Sequence, residues 1–249
     1  MKDIIINPDI HGRTFWKEGP LSEVKLDDVE KIIFLGDYLD PYAWEDITRK
    51  QAIDNFNEIM EFKKANMDKV VLLLGNHDIQ YIDRGIGCSR LDTVNMKDIH
   101  NILISNKKLF QLGYTTEYKG RNISFTHAPI LKSWLDAVNQ YVKVLPDDIK
   151  EVIDELNKRW LSSDIYSLPI LGGLLSFCSH FRGGYDATSS PIWADIREFK
   201  STSIPSGWYQ IFGHTQLVEN PVITAYGADL DCRRAFKLSE VLDTINNNV

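Results

Sequence analysis

Three short apolar runs, each unbroken by polar alternation and each followed by a polar cluster containing glycine, constrain this chain more than any other feature. Ile4-Ile5-Ile6 leads into Asp9-Ile10-His11-Gly12, and Lys31-Ile32-Ile33-Phe34-Leu35 into Gly36-Asp37-Tyr38-Leu39-Asp40. Val70-Val71-Leu72-Leu73-Leu74 leads into Gly75-Asn76-His77-Asp78. Aliphatic and β-branched runs of this kind are expected of strands covered on both faces. Between the second and third runs, Thr48 to Asn66 places Ile53, Phe56, Ile59, Met60 and Phe62 on one helical face, with Thr48 as the cap. The segment therefore predicts a βαβ unit with the two strands parallel. Open α/β sheets hold ligands at the carboxyl ends of such strands, which is where the polar clusters fall.

Downstream, the pattern predicts a short helix over 99–108 and a hairpin, 112–118 with 122–125, turning at Lys119-Gly120. Helices are expected over 133–141 and 147–160, the second after Pro146 with acidic residues in its first turn. Residues 161–207 are rich in Ser, Gly and Pro and resist assignment; so long a loop in a compact domain is often functional. Strands are expected again at 208–212, 222–226 and roughly 230–238. No repeat or linker divides the 249 residues, so one domain spanning 1–249 is expected, of the α/β class.

Composition narrows the partners. Hydrophobic residues make up 43% of the chain and charged residues 25%, as in ordinary globular proteins. The net charge of −7 and the lack of a basic run argue against a nucleic-acid partner held by its phosphate backbone. The acidity is compatible with a phosphorylated substrate if bound cations invert the local field. Cys88, Cys178 and Cys232 are far apart and form no CxxC pair, so free thiols in a reducing compartment are expected rather than a disulfide framework or a thiolate zinc site. The first apolar run, Ile4–Ile6, is too short for a signal-peptide core, and no stretch approaches a membrane span, so a cytoplasmic protein without a membrane partner is expected.

Two later segments add to the polar clusters: Thr126-His127-Ala128 after the hairpin and Gly213-His214-Thr215 after the strand at 208–212. Five strand ends thus present Asp9, His11, Asp37, Asn76, His127 and His214. Carboxylate oxygen and imidazole nitrogen suit divalent ions such as Mn, Fe, Zn or Co. One Asp can bridge two ions, an Asn amide adds a neutral ligand, and a pair of ions about 3.5–4 Å apart can activate a shared water and clamp an in-line displacement. Each motif alone reads as an ordinary turn. Together, in this order and each after an expected strand, they point to a two-metal site.

The series DIHG, GDYLD, GNHD, THA and GHT resembles the calcineurin-like metallophosphoesterase superfamily, and its motifs span positions 9 to 214. The resemblance implies an αββα sandwich of two mixed β-sheets flanked by helices. It implies that Asp9, His11 and Asp37 hold one ion and that Asp37, Asn76, His127 and His214 hold the second, with manganese the metal best suited to assay. It also implies a dyad in which Asp40 orients His77 as the acid that protonates the leaving alkoxide. Gln216 stands where many diesterase and nuclease branches carry a second His, so the chain is most similar to the phosphoprotein phosphatase and diadenosine-polyphosphate hydrolase branch. A tryptophan-containing segment, Ser190 to Asp195, resembles that branch as well.

The expected activity is hydrolysis of a phosphomonoester or phosphoanhydride by in-line attack of a metal-bridging hydroxide. The substrate would be a phosphoprotein, a dinucleoside polyphosphate or a small phosphate ester. The rivals are a phosphodiesterase or nuclease of the same superfamily and a catalytically silent binding module. The phosphoprotein phosphatases read GDxVDRG, but Pro41 stands at that Arg and Leu74 where another Arg precedes GNHD, so their phosphate clamp is missing. A replacement cation is expected elsewhere, since bidentate Arg–phosphate pairing is strong and orienting. Arg182 is the first candidate, because the adjacent Gly183-Gly184 permits close approach, and Arg13, two residues past His11, is the second. A solvated surface role is the alternative for either. His100 is expected to be a surface or capping residue, His180 a hydrogen-bonded structural one, and Asp229 and Asp231 turn or cap residues. Phe15-Trp16, Tyr42-Ala43-Trp44 and Trp208-Tyr209 are expected in the core or walling a pocket.

Overall fold

The alternation that the three apolar runs lack along the sequence is present in space. The computed structural model describes residues 2–83, 85–142, 145–162, 173–200 and 204–247. In it β1 (Asp3–Asn7), β2 (Val29–Phe34) and β3 (Val70–Leu73) lie side by side and parallel, with Ile5 opposite Ile32 and Ile32 opposite Val70. Successive side chains leave a strand on opposite faces. Ile5, Ile32, Phe34, Val70 and Leu72 join a core shared with Phe56, Ile59 and Met60 of a long helix. Ile4, Ile6, Ile33, Leu35, Val71 and Leu73 meet Ile123, Phe125, Tyr209 and Ile211 of a second sheet. Both faces of the apolar runs are covered, and each buried aliphatic side chain there stabilises the sandwich by about 1.5–3 kcal/mol.

The one-turn helix α1 (Pro20–Glu23) precedes β2, and α2 (Arg49–Ala65) is the helix of the expected βαβ unit. Thr48 caps it reciprocally: its hydroxyl accepts the Gln51 N–H, and its own N–H donates to the Gln51 side chain. The short helix α3 (Asn76–Ile79) follows β3 directly. The first sheet is completed by β4 (Phe110–Gln111), parallel to β3, and by β10 (Phe236–Lys237), antiparallel to β1. The second contains β5 (Gly113–Tyr118), β6 (Arg121–Thr126), β7 (Tyr209–Phe212), β8 (Val222–Ile223) and β9 (Gly227–Asp229), in the order β5-β6-β7-β9-β8. Its inner pairs are parallel and its outer pairs antiparallel. Two mixed five-stranded sheets flanked by helices form the αββα sandwich that the motifs imply.

Several boundaries differ from expectation. Helix α4 (Met96–Ser105) starts before residue 99 and ends before 108, and a separate 3-10 turn covers Lys107–Leu109. Helices α5 (Lys132–Val142) and α6 (Ile149–Ser162) lie close to their expected spans, although the acidic pair at 147–148 precedes α6 and Glu151 is the acid of its first turn. The single strand expected near 230–238 does not form. The chain instead leaves the second sheet after Asp229, turns through Arg233 at φ 61°, and joins the first sheet at β10. One strand cannot pair in two sheets, so the apolar residues here divide between them. Part of the stretch 161–207 lies outside the described residues. No described helix is long and apolar enough to cross a membrane.

Candidate metal centre

Loops following β1, β2, β3 and β7 line one cavity of about 290 Å³, with His127, just beyond β6, fully buried against it. Ligand atoms of Asp9, His11 and Asp37 lie within 4.8 Å of one another, and so do those of Asp37, His127 and His214. Asp37 belongs to both groups. The Asn76 amide oxygen is 3.0 Å from His127 Nε2. The structure therefore brings all six expected ligands together.

The donor set fits cations. His11 Nδ1 lies 2.8 Å from the Leu39 carbonyl, and His127 Nδ1 lies 2.9 Å from the Leu35 carbonyl. A carbonyl only accepts, so Nδ1 is the donor in each contact and Nε2 is the nitrogen turned toward the other ligand atoms. His11 Nε2 then faces Asp37 Oδ2 at 3.5 Å, and His127 Nε2 faces the Asn76 oxygen and His214 Nδ1, 3.2 Å away. Imidazole nitrogens, carboxylate oxygens and an amide oxygen thus converge in a buried site, a donor set that suits a divalent ion. Burial pushes His11 and His214 well below the ordinary imidazole range, helped at His11 by His77, Arg90 and Arg13, and at His214 by Arg182 and His127. Both are therefore neutral ligands near pH 7. Burial raises the Asp37 carboxyl to about 7, with the Asp9 charge adding to the effect and His77 opposing it.

Two glycines permit this crowding. A Cβ on Gly75 would sit 2.1 Å from Asp37 Oδ1, and one on Gly213 would sit 2.2 Å from Asp9 Oδ1. The backbone is also strained around the site. His11, Asp37, Asp40 and His214 have φ of 45°, 53°, 58° and 71°, a left-handed conformation that costs a non-glycine residue about 1–3 kcal/mol. Hydrogen bonds across the loops offset that cost: His77 N–H donates to Asp37 Oδ1 at 2.9 Å, and His214 N–H to Asp9 Oδ1 at 3.0 Å.

The model of the calcineurin-like phosphoesterase family matches residues 8–229. The chain belongs to this family. With the two ligand groups, that makes it a metal-binding hydrolase of the calcineurin-like phosphoesterase superfamily. No curated protein matches it significantly. Among solved structures, a cold-active protein tyrosine phosphatase superposes with a TM-score of 0.53 at 16% identity, over 93% of this chain and 70% of that one. A cold-active protein-tyrosine phosphatase of a psychrophilic Shewanella species gives 0.52 at 17%, over 93% and 71%. At such identities the likeness is one of fold.

Beside the ligand groups of this phosphoesterase, His77 Nδ1 lies 2.8 Å from Asp40 Oδ2. Asp40 is buried and also accepts from the Gln80 amide and the Tyr81 hydroxyl. The two arginines singled out in the sequence are placed differently. Arg182 lines the cavity, pairs with Asp195 at 3.0 Å and donates to the His214 carbonyl at 2.9 Å. Arg13 is buried, forks onto Glu45 through Nε and Nη2, and donates to the Asp9 carbonyl. Its donors brace the first loop. Trp193, from the tryptophan-containing segment, meets the His214 ring edge-on at 5.9 Å. His100 bonds to the Tyr81 carbonyl, and His180 is exposed against Phe181.

Three features escaped the sequence. Arg90 enters the cavity with its Nη2 3.1 Å from His77 Nε2. Cys88 lines the same wall, exchanging hydrogen bonds with Asn76, and burial pushes its thiol far above the usual range. Asp229 does accept the Asp231 N–H, as a turn residue would, but both carboxyls are buried and desolvation raises both well above the ordinary range. Neither Arg90 nor Cys88 belongs to a motif. Their only sequence signal is their nearness to GNHD.

Proposed function

We propose that this phosphoesterase hydrolyses a phosphomonoester or phosphoanhydride at two divalent ions, in the manner of the phosphoprotein phosphatase and diadenosine-polyphosphate hydrolase branch. The substrate would be a phosphoprotein, a dinucleoside polyphosphate or a small phosphate ester. The observation that carries the reading is Asp37 standing in both ligand groups with the His77–Asp40 pair at its side. Asp9 and His11 would complete the first ion's ligands, and Asn76, His127 and His214 the second's. Bound there, the ions would supply a water activated near neutrality and positive charge facing the phosphoryl oxygens.

The chain's own groups do the rest. The Asp40 carboxylate fixes the His77 ring with its Nδ1 proton inward, so Nε2 is the nitrogen presented to the cavity. The imidazolium, which carries a second proton on Nε2, would give that proton to a departing oxygen and be left neutral. Asp40 itself is held by Gln80 and Tyr81, which keeps the pair rigid. Direct hydrolysis is favoured over a covalent route, since burial holds the Cys88 thiol protonated and it is engaged with Asn76. Gln216 in place of a second His supports monoester or anhydride chemistry over diester chemistry.

The test is an assay with Mn²⁺ against p-nitrophenyl phosphate, bis-p-nitrophenyl phosphate and a dinucleoside polyphosphate, with metal content measured in parallel. Turnover of the monoester or anhydride is expected. A preference for the diester would move the assignment to a phosphodiesterase, and metal binding without any turnover would make the chain a binding module.

A further inference from the structure

The expected clamp is missing at Pro41 and Leu74, yet a dianionic phosphoryl group at this site needs cationic partners beyond the metals. Among the described residues lining the cavity, only Arg90 and Arg182 are permanently cationic. Arg182 is partly committed to Asp195 and the His214 carbonyl. Arg90 differs in one respect: among the described residues no carboxylate lies within ion-pair distance of it, whereas Arg182 pairs with Asp195. Its guanidinium carbon lies over the Tyr42 ring, 3.6 Å from the centroid, and its Nη2 is 3.1 Å from His77 Nε2. Tyr42 is fixed in turn, edge-on to His11 at 5.1 Å and against Trp44 at 4.6 Å. A guanidinium already held over an aromatic ring loses little freedom when it binds an anion.

We infer that Arg90, shelved on Tyr42, is the side chain that grips the phosphoryl oxygens in place of the arginine absent at position 41. Arg182, which lines the same cavity, supports it, and Tyr42 is its positioning residue. The inference rests on the phosphoesterase reading. It also ties binding to chemistry through one atom: Nη2, which faces His77 Nε2, is a donor that a phosphoryl oxygen would draw away. Filling the clamp then clears the nitrogen that must serve the leaving group. Tyr42 lies two residues past Asp40 in the chain, so the loop that holds the dyad also holds the shelf.

The experiment measures inorganic phosphate binding to Mn²⁺-loaded protein by calorimetry, together with kcat and KM for p-nitrophenyl phosphate. The variants are Arg90→Gln, Arg90→Lys, Tyr42→Leu and Arg182→Gln, each checked for metal content and melting temperature. Arg90→Gln should weaken phosphate binding at least tenfold with metal content unchanged, and Arg90→Lys should restore part of the loss. Tyr42→Leu should weaken phosphate binding about three- to tenfold and raise KM, the mark of a displaced clamp. Wild-type phosphate affinity in Arg90→Gln would overturn the inference, as would a loss confined to Arg182→Gln or a wild type that binds no phosphate. Should Arg90→Gln fail to fold, Arg90→Lys and Tyr42→Leu decide by the same readings. Phosphate binding is read without turnover, so a wild type that binds phosphate through Arg90 but hydrolyses nothing would overturn the functional reading and leave this inference standing.

Discussion

The backbone N–H of Asp37 donates to the Asp78 carboxylate at 2.7 Å, so the residue shared by both ligand groups is tied to the last residue of the GNHD motif. Asp78 also accepts the N–H groups of Tyr38, at 3.0 Å, and Gly75, at 2.9 Å, and it is fully buried. One carboxylate thereby joins the loops after β2 and β3. Asp78→Ala would strand those donors in a dry site. A loss of about 3 kcal/mol or more is expected, because each buried unsatisfied group costs about 1–3 kcal/mol. Thermal melting in the presence of a chelator checks this apart from any effect on metal binding. A melting temperature within about 2 °C of wild type would show that the staple is unimportant.

The raised Asp37 carboxyl sets a pH dependence. In the metal-free protein its folded-state value of about 7 lies above the ordinary 3.8, so its contribution to stability is full at low pH and is lost as pH rises through about 7. A divalent ion needs the ionised form. Its apparent affinity should therefore weaken by about tenfold per pH unit below about 7. His11 and His214, already neutral, add nothing to that slope near pH 6 to 7. Mn²⁺ titrations between pH 5.5 and 8 measure it, and a flat profile would contradict the burial argument.

The parts of this site that were legible in the sequence share one property: the residue type is dictated by a local constraint. Ile32 to Leu35 read as a strand because both faces are covered, and Asp9, Asp37 and Asn76 follow strands because ligands gather where parallel strands end. What was hidden depends on distance in the fold. Arg90 lies beyond a loop, and nothing in Ser89-Arg90-Leu91 shows that the chain folds back over Tyr42. Asp231 reads as a turn residue, since only the crossing from β9 to β10 buries it. Arg13 sits beside a ligand motif, but Glu45, far along the chain, engages its fork.

Gly213 gives a direct steric test. A methyl group there would overlap Asp9 Oδ1 at 2.2 Å, and the nearest neighbours include no flexible side-chain end other than that carboxylate. Gly213→Ala should displace Asp9, which also accepts the His214 N–H, and so disturb both ligand groups. Metal content by elemental analysis should fall and activity should drop at least tenfold. Two ions retained with full activity would mean that Asp9 can move without consequence.

The His77–Asp40 pair predicts a division of effects. Asp40 accepts from His77, Gln80 and Tyr81, so its carboxylate holds the His77 proton on Nδ1. In Asp40→Asn the amide can turn its N–H toward Nδ1 and favour the opposite tautomer, an effect that costs other histidine-dependent enzymes several orders of magnitude. His77→Asn removes the acid outright. Neither residue is among the six expected ligands, so both variants should keep their metal. Turnover of an alkyl phosphate, whose leaving oxygen needs a proton, should fall by about 100-fold or more in each. An aryl phosphate with a good leaving group should lose much less. The ratio of the two rates isolates leaving-group protonation from ligand damage, which would slow both substrates alike. If the two substrates lose rate equally in both variants while metal content holds, the pair orients the Asn76 loop and is not the acid.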